Sequence, residues 1–364
     1  MRFAPLARTT LGALALFGAS GCLSHGAASL AAVDRVDDGT LRTIAFGSCA
    51  REDKDQEIWD AIVATEPDLF LFIGDNVYVD IPEIPTGRAE FDAAYADLGA
   101  QPGWLALKAS CPVLATWDDH DFGKNDAGAE WALKDVAQQE FLDFFEVSAS
   151  SPRRARRGVY HSAVFGPYGR RVQVILLDTR YHRSPLTRSA SKPEGAGPYV
   201  PSERQNATML GDEQWAWLED QLQLPADLRI IASSIQVVAS EHGWEAWGNL
   251  PAERERLYDL IDRADANGVV FISGDRHLIE ISRDEDGPYP LYDFTSSGFN
   301  WGEDFVEEPN RFRLGPVLRV PNFGTISIDW DPEAPTVTLT GHGLDGGVLM
   351  REVIALSALT ESTP

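Results

Sequence analysis

The chain has 364 residues, 44% hydrophobic and 24% charged, a composition that excludes wholesale disorder, collagen and coiled coil and is long enough for one large α/β unit or two domains. Lys and Arg number 31 against 56 Asp and Glu, a formal charge of −25. That is the wrong sign for a protein that grips nucleic acid, and any anionic substrate must be drawn by local charge.

At the N-terminus, Arg2 and Arg8 precede an apolar run, Leu11 to Phe17, followed by Gly18-Ala19-Ser20-Gly21 and Cys22. Residues 1–21 read as a secretory signal that is removed on export. The small residues before Cys22 also look like a lipoprotein cleavage box, which would tether the chain through a lipidated Cys22; an ordinary cleaved signal is the alternative. Residues 22–38 read as a flexible leader. No later apolar stretch reaches the ~18 to 20 residues that span a bilayer. The expected location is therefore outside the cytoplasm, as a periplasmic, outer-membrane-anchored or extracellular protein.

Six short apolar runs follow: Leu41–Phe46, Leu69–Ile73, Val113–Trp117, Val172–Leu177, Ile230–Ile235 and Val269–Ile272. Amphipathic helical patterns separate most of them, at Gln56–Thr65, Asp135–Phe145, Asp212–Leu222 and Ala252–Ala266. Strands alternating with helices predict a layered α/β core. The last third alternates differently, and Gly324–Trp330, Pro335–Thr340 and Val348–Leu356 predict antiparallel strands that close a second sheet. Tyr181 to Leu210, rich in Pro, Gly and Ser, predicts a lid or an unstructured loop. Arg153, Arg154, Arg156 and Arg157 form a basic cluster, expected to be a solvated loop rather than a substrate-steering patch.

Polar, metal-competent residues follow nearly every run: Gly47-Ser48-Cys49, Gly74-Asp75-Asn76-Val77-Tyr78, Asp118-Asp119-His120-Asp121 with Asn125, Asp178-Thr179-Arg180, Gln236, and Gly274-Asp275-Arg276-His277. In α/β sheets the carboxyl ends of the strands are where ligands bind. Carboxylate, amide and imidazole suit a hard or borderline cation, and thiolate with phenolate favours oxidised iron. A pair of ions needs a shared carboxylate, and Asp75 is the candidate bridge. Cys49 could instead pair with Cys111, but one follows its strand and the other precedes its own. About 17 to 20 Å of strand would separate them, beyond disulfide reach. His120, among three carboxylates, should hold its proton and suit a general acid. His161 is expected to be structural.

Together these segments resemble the alkaline phosphatase D (PhoD-like) family of metallophosphoesterases, within the calcineurin-like superfamily. The resemblance runs from about Ile44 to Ser282, is most specific at Thr116-Trp117-Asp118-Asp119-His120-Asp121-Phe122-Gly123-Lys124-Asn125-Asp126, and extends to Trp244–Arg254 with Trp247. It implies one domain over residues 39–358, built as a four-layer α/β/β/α sandwich of two mixed sheets. It further implies Fe3+ held by Cys49, Asp75 and Tyr78, and Ca2+ held by Asp75, Asn125 and Asp275, with Asp119 and His277 as additional metal ligands. His120 would be the leaving-group acid assisted by Asp119, with Arg180 and Trp247 contacting substrate. The implied activity is hydrolysis of phosphate monoesters or diesters of small molecules, lipids or polymers by metal-bound hydroxide. The superfamily's usual Asp-x-His is replaced here by Gly47-Ser48-Cys49-Ala50, as is typical of the PhoD-like branch. No Arg-Arg pair precedes the signal's apolar run and the family's separate N-terminal β domain has no counterpart, which points to general export and leaves substrate size open. Two other readings compete: an acyl hydrolase with Cys49 as nucleophile and His120 as base, and a non-catalytic calcium-binding surface lipoprotein.

Overall fold

The run Leu69–Ile73 shows how the layers arise. Its alternate residues Leu69, Leu71 and Ile73 face one apolar core, whereas Phe70 and Phe72 face another, and all five are fully buried. A strand apolar on both faces must be covered on both. The computed structural model describes residues 35–191, 196–302 and 308–361.

A six-stranded sheet runs in the order Val348–Ala355, Thr336–Gly343, Asn322–Asp329, Thr43–Gly47, Leu69–Ile73, Val113–Thr116. Its last three strands are parallel and the others antiparallel. An eight-stranded mixed sheet packs against it, centred on the parallel strands Val172–Leu176, Leu228–Ser233, Val269–Ser273 and Leu291–Ser296. The expected C-terminal strands thus do close a second sheet, by adding Asn322–Asp329 to Thr43–Gly47 in antiparallel register. The six apolar runs are split three and three between the two sheets. Phe46 and Phe294 meet edge to face across the interface, with centroids 5.1 Å apart, a geometry worth about 0.5–1.5 kcal/mol beyond area burial.

Helices form the outer layers. Ile58–Ala64, Pro102–Ser110 and Lys134–Phe144 supply Trp59, Trp104 and Phe141 to the core behind the six-stranded sheet. Gly211–Leu222 and Pro251–Arg263 supply Trp215, Leu218, Leu257 and Ile261 to the core shared with the eight-stranded sheet. This is the four-layer sandwich expected from the sequence. Among the described residues no helix is long and apolar enough to cross a membrane. The signal, Cys22 and most of the leader lie outside the described residues.

The Tyr181–Leu210 segment corrects the expectation of an unstructured loop. Thr187–Arg188 pairs with Tyr199–Val200. Backbone hydrogen bonds of 2.8 Å from Gly197, Tyr199 and Ser202 to His242, Gly243 and Asn249 fix this hairpin to the following segment.

Candidate metal centre

The parallel strands of both sheets end on the same side, and the loops that leave them are stitched together. Cys49 N–H donates to the Gly74 carbonyl and Ala50 N–H to the Asp75 carbonyl, at 3.2 and 2.9 Å. Gly274 N–H donates to the Ser234 carbonyl at 3.0 Å, joining two loops of the other sheet. Gly74, at φ +117°, has no room for a side chain, because a Cβ would lie 2.7 Å from that of Asp118 and 3.0 Å from that of Ser234. Among the described residues eight non-glycines adopt left-handed backbone, and five of them, Cys49, Asp75, Asp126, Asp275 and His277, lie in this one cluster. Such backbone costs of order 1–3 kcal/mol at a non-glycine residue and persists where surrounding contacts impose it.

The side chains converge in two groups. Cys49, Asp75 and His277 bring ligand atoms within 4.8 Å of one another. Cys49 Sγ lies 3.3 Å from Asp75 Oδ2, and the Tyr78 hydroxyl lies 3.4 Å from that oxygen and 3.2 Å from His277 Nε2. Asp75, Asp119 and His120 converge within the same limit, as do Asp118, Asp119 and Asp275. Asp75 belongs to both sides, the place expected of a bridging carboxylate. Asn125 is exposed at the edge of this cluster, its N–H held at 2.8 Å by Asp80 Oδ2. A further group, Asp119, Asp126 and Glu245, adjoins the second side.

The electrostatics of the cluster call for cations. Burial, then the neighbouring carboxylates, push the Cys49 thiol well up. Burial is also the main cause at Asp75 and Asp275, whose carboxyls lie well above the usual range. Tyr78 is driven up by burial, Cys49 and Asp75. So many buried anions are mutually unfavourable without compensating positive charge. Asp119 Oδ1 and Asp118 Oδ2 are buried with no hydrogen-bond partner. Orphaned carboxylate oxygens in a cluster that also holds a thiol, a phenol and two imidazoles fit a borderline metal beside a harder one.

His120 completes the edge of the cluster. Its Nδ1 sits 2.6 Å from Asp80 Oδ1, and the Tyr78 ring stacks on the imidazole at 4.1 Å. Burial works against its charge, yet the carboxylates of Asp119, Asp75 and Asp80 raise its pKa well above the ordinary value.

Two expected substrate contacts are fully buried. Arg180 is fully buried: Nε donates to Asp118 Oδ1 at 2.6 Å and Nη1 pairs with Glu245 Oε2 at 2.6 Å. Its guanidinium pairs with carboxylates of the cluster itself, and Glu245 is shared with Arg183 at 2.9 Å. Trp247 is likewise fully buried in the core, with its indole N–H donated to Ser233 Oγ at 2.9 Å, and presents no face to a substrate. Gln236 does not reach the cluster either, being bonded to Glu280 and Thr295. Cys111 and Cys49 are both free thiols. His161 is buried, with Nδ1 3.3 Å from the Val159 carbonyl. Sequence reasoning missed Asp80, Asp126 and Glu245. The first stands two residues after Tyr78 and the last inside the Trp244–Arg254 segment, but neither spacing carries a signal of its own.

A four-layer α/β/β/α sandwich with an acidic, thiol- and imidazole-containing cluster at its strand ends defines the metallophosphoesterase class of fold. The family model for PhoD-like phosphatases matches residues 44–307, and the chain belongs to that family. It is 26% identical over 272 residues to alkaline phosphatase D of Bacillus subtilis (strain 168), a match covering 65% of this chain and 46% of that protein, so the chain spans about half of this relative's length. A solved structure of PhoD superposes with a TM-score of 0.68 at 20% identity, covering 87% of this chain and 69% of the other. A purple acid phosphatase from yellow lupin (Lupinus luteus) seeds gives a TM-score of 0.58 at 13% identity, over 90% and 57% of the two chains. Both structures share the fold.

Proposed function

We propose that this chain is an exported metal-dependent phosphoesterase acting on phosphate monoesters or diesters at the Asp75 cluster. The observation that carries the reading is the Asp75 carboxylate itself, buried and common to both groups of ligand atoms. Cys49, Asp75, Tyr78 and His277 are the donors suited to Fe3+, and Asp75, Asp119, Asn125 and Asp275 those suited to Ca2+. Such a pair, when bound, supplies Lewis acidity toward a phosphoryl oxygen and acidifies a water molecule.

The chain's own residues do the rest. Asp80 accepts a short hydrogen bond from the Nδ1–H of His120, which leaves Nε2 to carry the proton given to the departing oxygen. Tyr78, stacked on the imidazole, fixes the plane of that transfer. Arg180 neutralises Asp118 and Glu245 and holds them in place. Asp119 and Asp80 keep the ring charged until the proton is needed.

The competing thiol mechanism is disfavoured because a nucleophilic cysteine needs a lowered pKa and access, whereas Cys49 is fully buried and its thiol is pushed up. Release of nitrophenol from its phosphate monoester and diester, before and after dialysis against EDTA, tests the reading. Loss of turnover on chelation and recovery on adding metal is expected. Full activity in EDTA together with inactivation by iodoacetamide would contradict it. The ratio of the two rates assigns monoesterase or diesterase character. Export, and attachment through Cys22, rest on the composition of residues 1–22 and are checked by fractionation and mass analysis of the mature N-terminus.

A further inference from the structure

The four arginines between Arg153 and Arg157 are not the solvated loop that composition suggested. Arg153 is buried and donates to the Val159 carbonyl at 3.0 Å. The next three line a cavity of about 580 Å³ together with Lys134, Tyr181 and His182. None of its lining residues belongs to the metal cluster.

Several features make this a built pocket. Four cationic side chains, Lys134, Arg154, Arg156 and Arg157, meet one carboxylate among the lining residues, Asp135, in a chain of net charge −25. Arg154 is balanced by Asp143 at 2.5 Å and donates to the Leu142 and Val147 carbonyls, and Asp135 accepts from the Tyr181 hydroxyl; with Arg154 set aside, Lys134 and Arg157 still outnumber that one lining carboxylate. The cations are also held in place. The Arg156 guanidinium lies over the Tyr160 ring at 4.2 Å, and Lys134 Nζ donates to the Ala129 carbonyl at 2.7 Å while sitting 4.7 Å from the Tyr181 ring. Side chains fixed before a ligand arrives lose little entropy in binding it. The helix Lys134–Phe144 opens onto the cavity through Lys134 and Asp135, adding the positive end of its dipole. His182 Nε2 is buried without a partner. The planar guanidinium fork of the exposed Arg157 matches phosphate oxygens, and the volume far exceeds that of a bare anion.

From this juxtaposition we infer that the Lys134–Arg157 cavity is a second anion site, separate from the metal centre, that takes a small molecule carrying a phosphate monoester group. The site is tested by calorimetric titration of the full-length Asp75→Asn variant, whose metal cluster is impaired, with inorganic phosphate and with glycerol 3-phosphate. Binding of one ligand per chain is expected. Exposed Arg157→Gln should weaken it about tenfold, the loss of one charged hydrogen bond, and Ala155→Glu, which places a carboxylate at the rim, should abolish it. Tighter binding of glycerol 3-phosphate than of phosphate is expected; the reverse order would overturn the organic ester as ligand. No heat with either ligand, or affinities unchanged by both pocket substitutions, would overturn the inference.

Discussion

His120 Nδ1 and Asp80 Oδ1 lie 2.6 Å apart, while the other oxygen of Asp80 accepts the Asn125 N–H at 2.8 Å. One carboxylate thereby sets both the tautomer of the imidazole and the position of the loop that carries Asn125. Asp80→Asn keeps the shape but loses the charge that holds the Nδ1 proton. For esters with poor leaving groups kcat should fall by about 10²–10⁴, the span of general acid catalysis, with KM little changed. For nitrophenyl esters the loss should be much smaller, because that leaving group departs without a proton. Equal losses across leaving groups would assign Asp80 a merely structural role.

Arg180 separates bracing from substrate contact. Replacing it with Gln would leave Asp118 buried without its cation and Glu245 with Arg183 alone, and removing one partner of such a buried pair costs about 3–5 kcal/mol. Urea unfolding should show a loss of that size. A variant of unchanged stability but raised KM would instead restore Arg180 as a contact to phosphate.

Trp247→Phe gives the matching test in the core. The indole N–H to Ser233 hydrogen bond is lost at a cost of about 1 kcal/mol, and KM should stay the same. A several-fold rise in KM with stability intact would place Trp247 against substrate.

His161 makes one contribution to the pH dependence of stability. Burial, followed by Arg153 and Arg156, holds its pKa well below the ordinary 6.5 in the folded chain. The unfolded chain therefore takes up this proton first as pH falls, so the contribution of His161 is fully present above pH 6.5 and is lost progressively below it. His161→Phe should flatten the fall in unfolding free energy below pH 6.5 by up to about 1.4 kcal/mol per pH unit, the slope for one proton. Parallel curves for the two proteins would contradict the shift.

The layered fold was legible because its central strands are apolar on both faces and end in polar residues. Leu69–Ile73 followed by Gly74-Asp75 reads as a buried strand leading to a site, and the structure keeps it so. Helices Arg88–Ala100 and Pro102–Ser110 were not read, since Gly99 and Gly103 interrupt the pattern and tertiary contacts, such as Gly103 against Trp59, settle it. Strand His161–Phe165 escaped because its neighbours, rather than β-branched side chains, hold it in place. At the site, Cys49, Asp75, Tyr78, Asp119 and Asp275 could be picked out as potential ligands at strand ends. Asp80 and Glu245 could not, because their roles depend on which loops the two sheets bring together. Arg180 and Trp247 mark the converse limit: sequence gives a residue's type but not which way it faces.

The central claim, that Asp75 joins two cation sites, is tested most directly by metal analysis of the full chain purified without chelators, beside Asp75→Asn prepared in parallel. About two metal ions per parent chain are expected, one of them iron with a visible absorption band, and both metal content and turnover should collapse in the variant. A parent protein that is fully active yet essentially free of metal, or a variant that keeps both its metal and its rate, would contradict the claim.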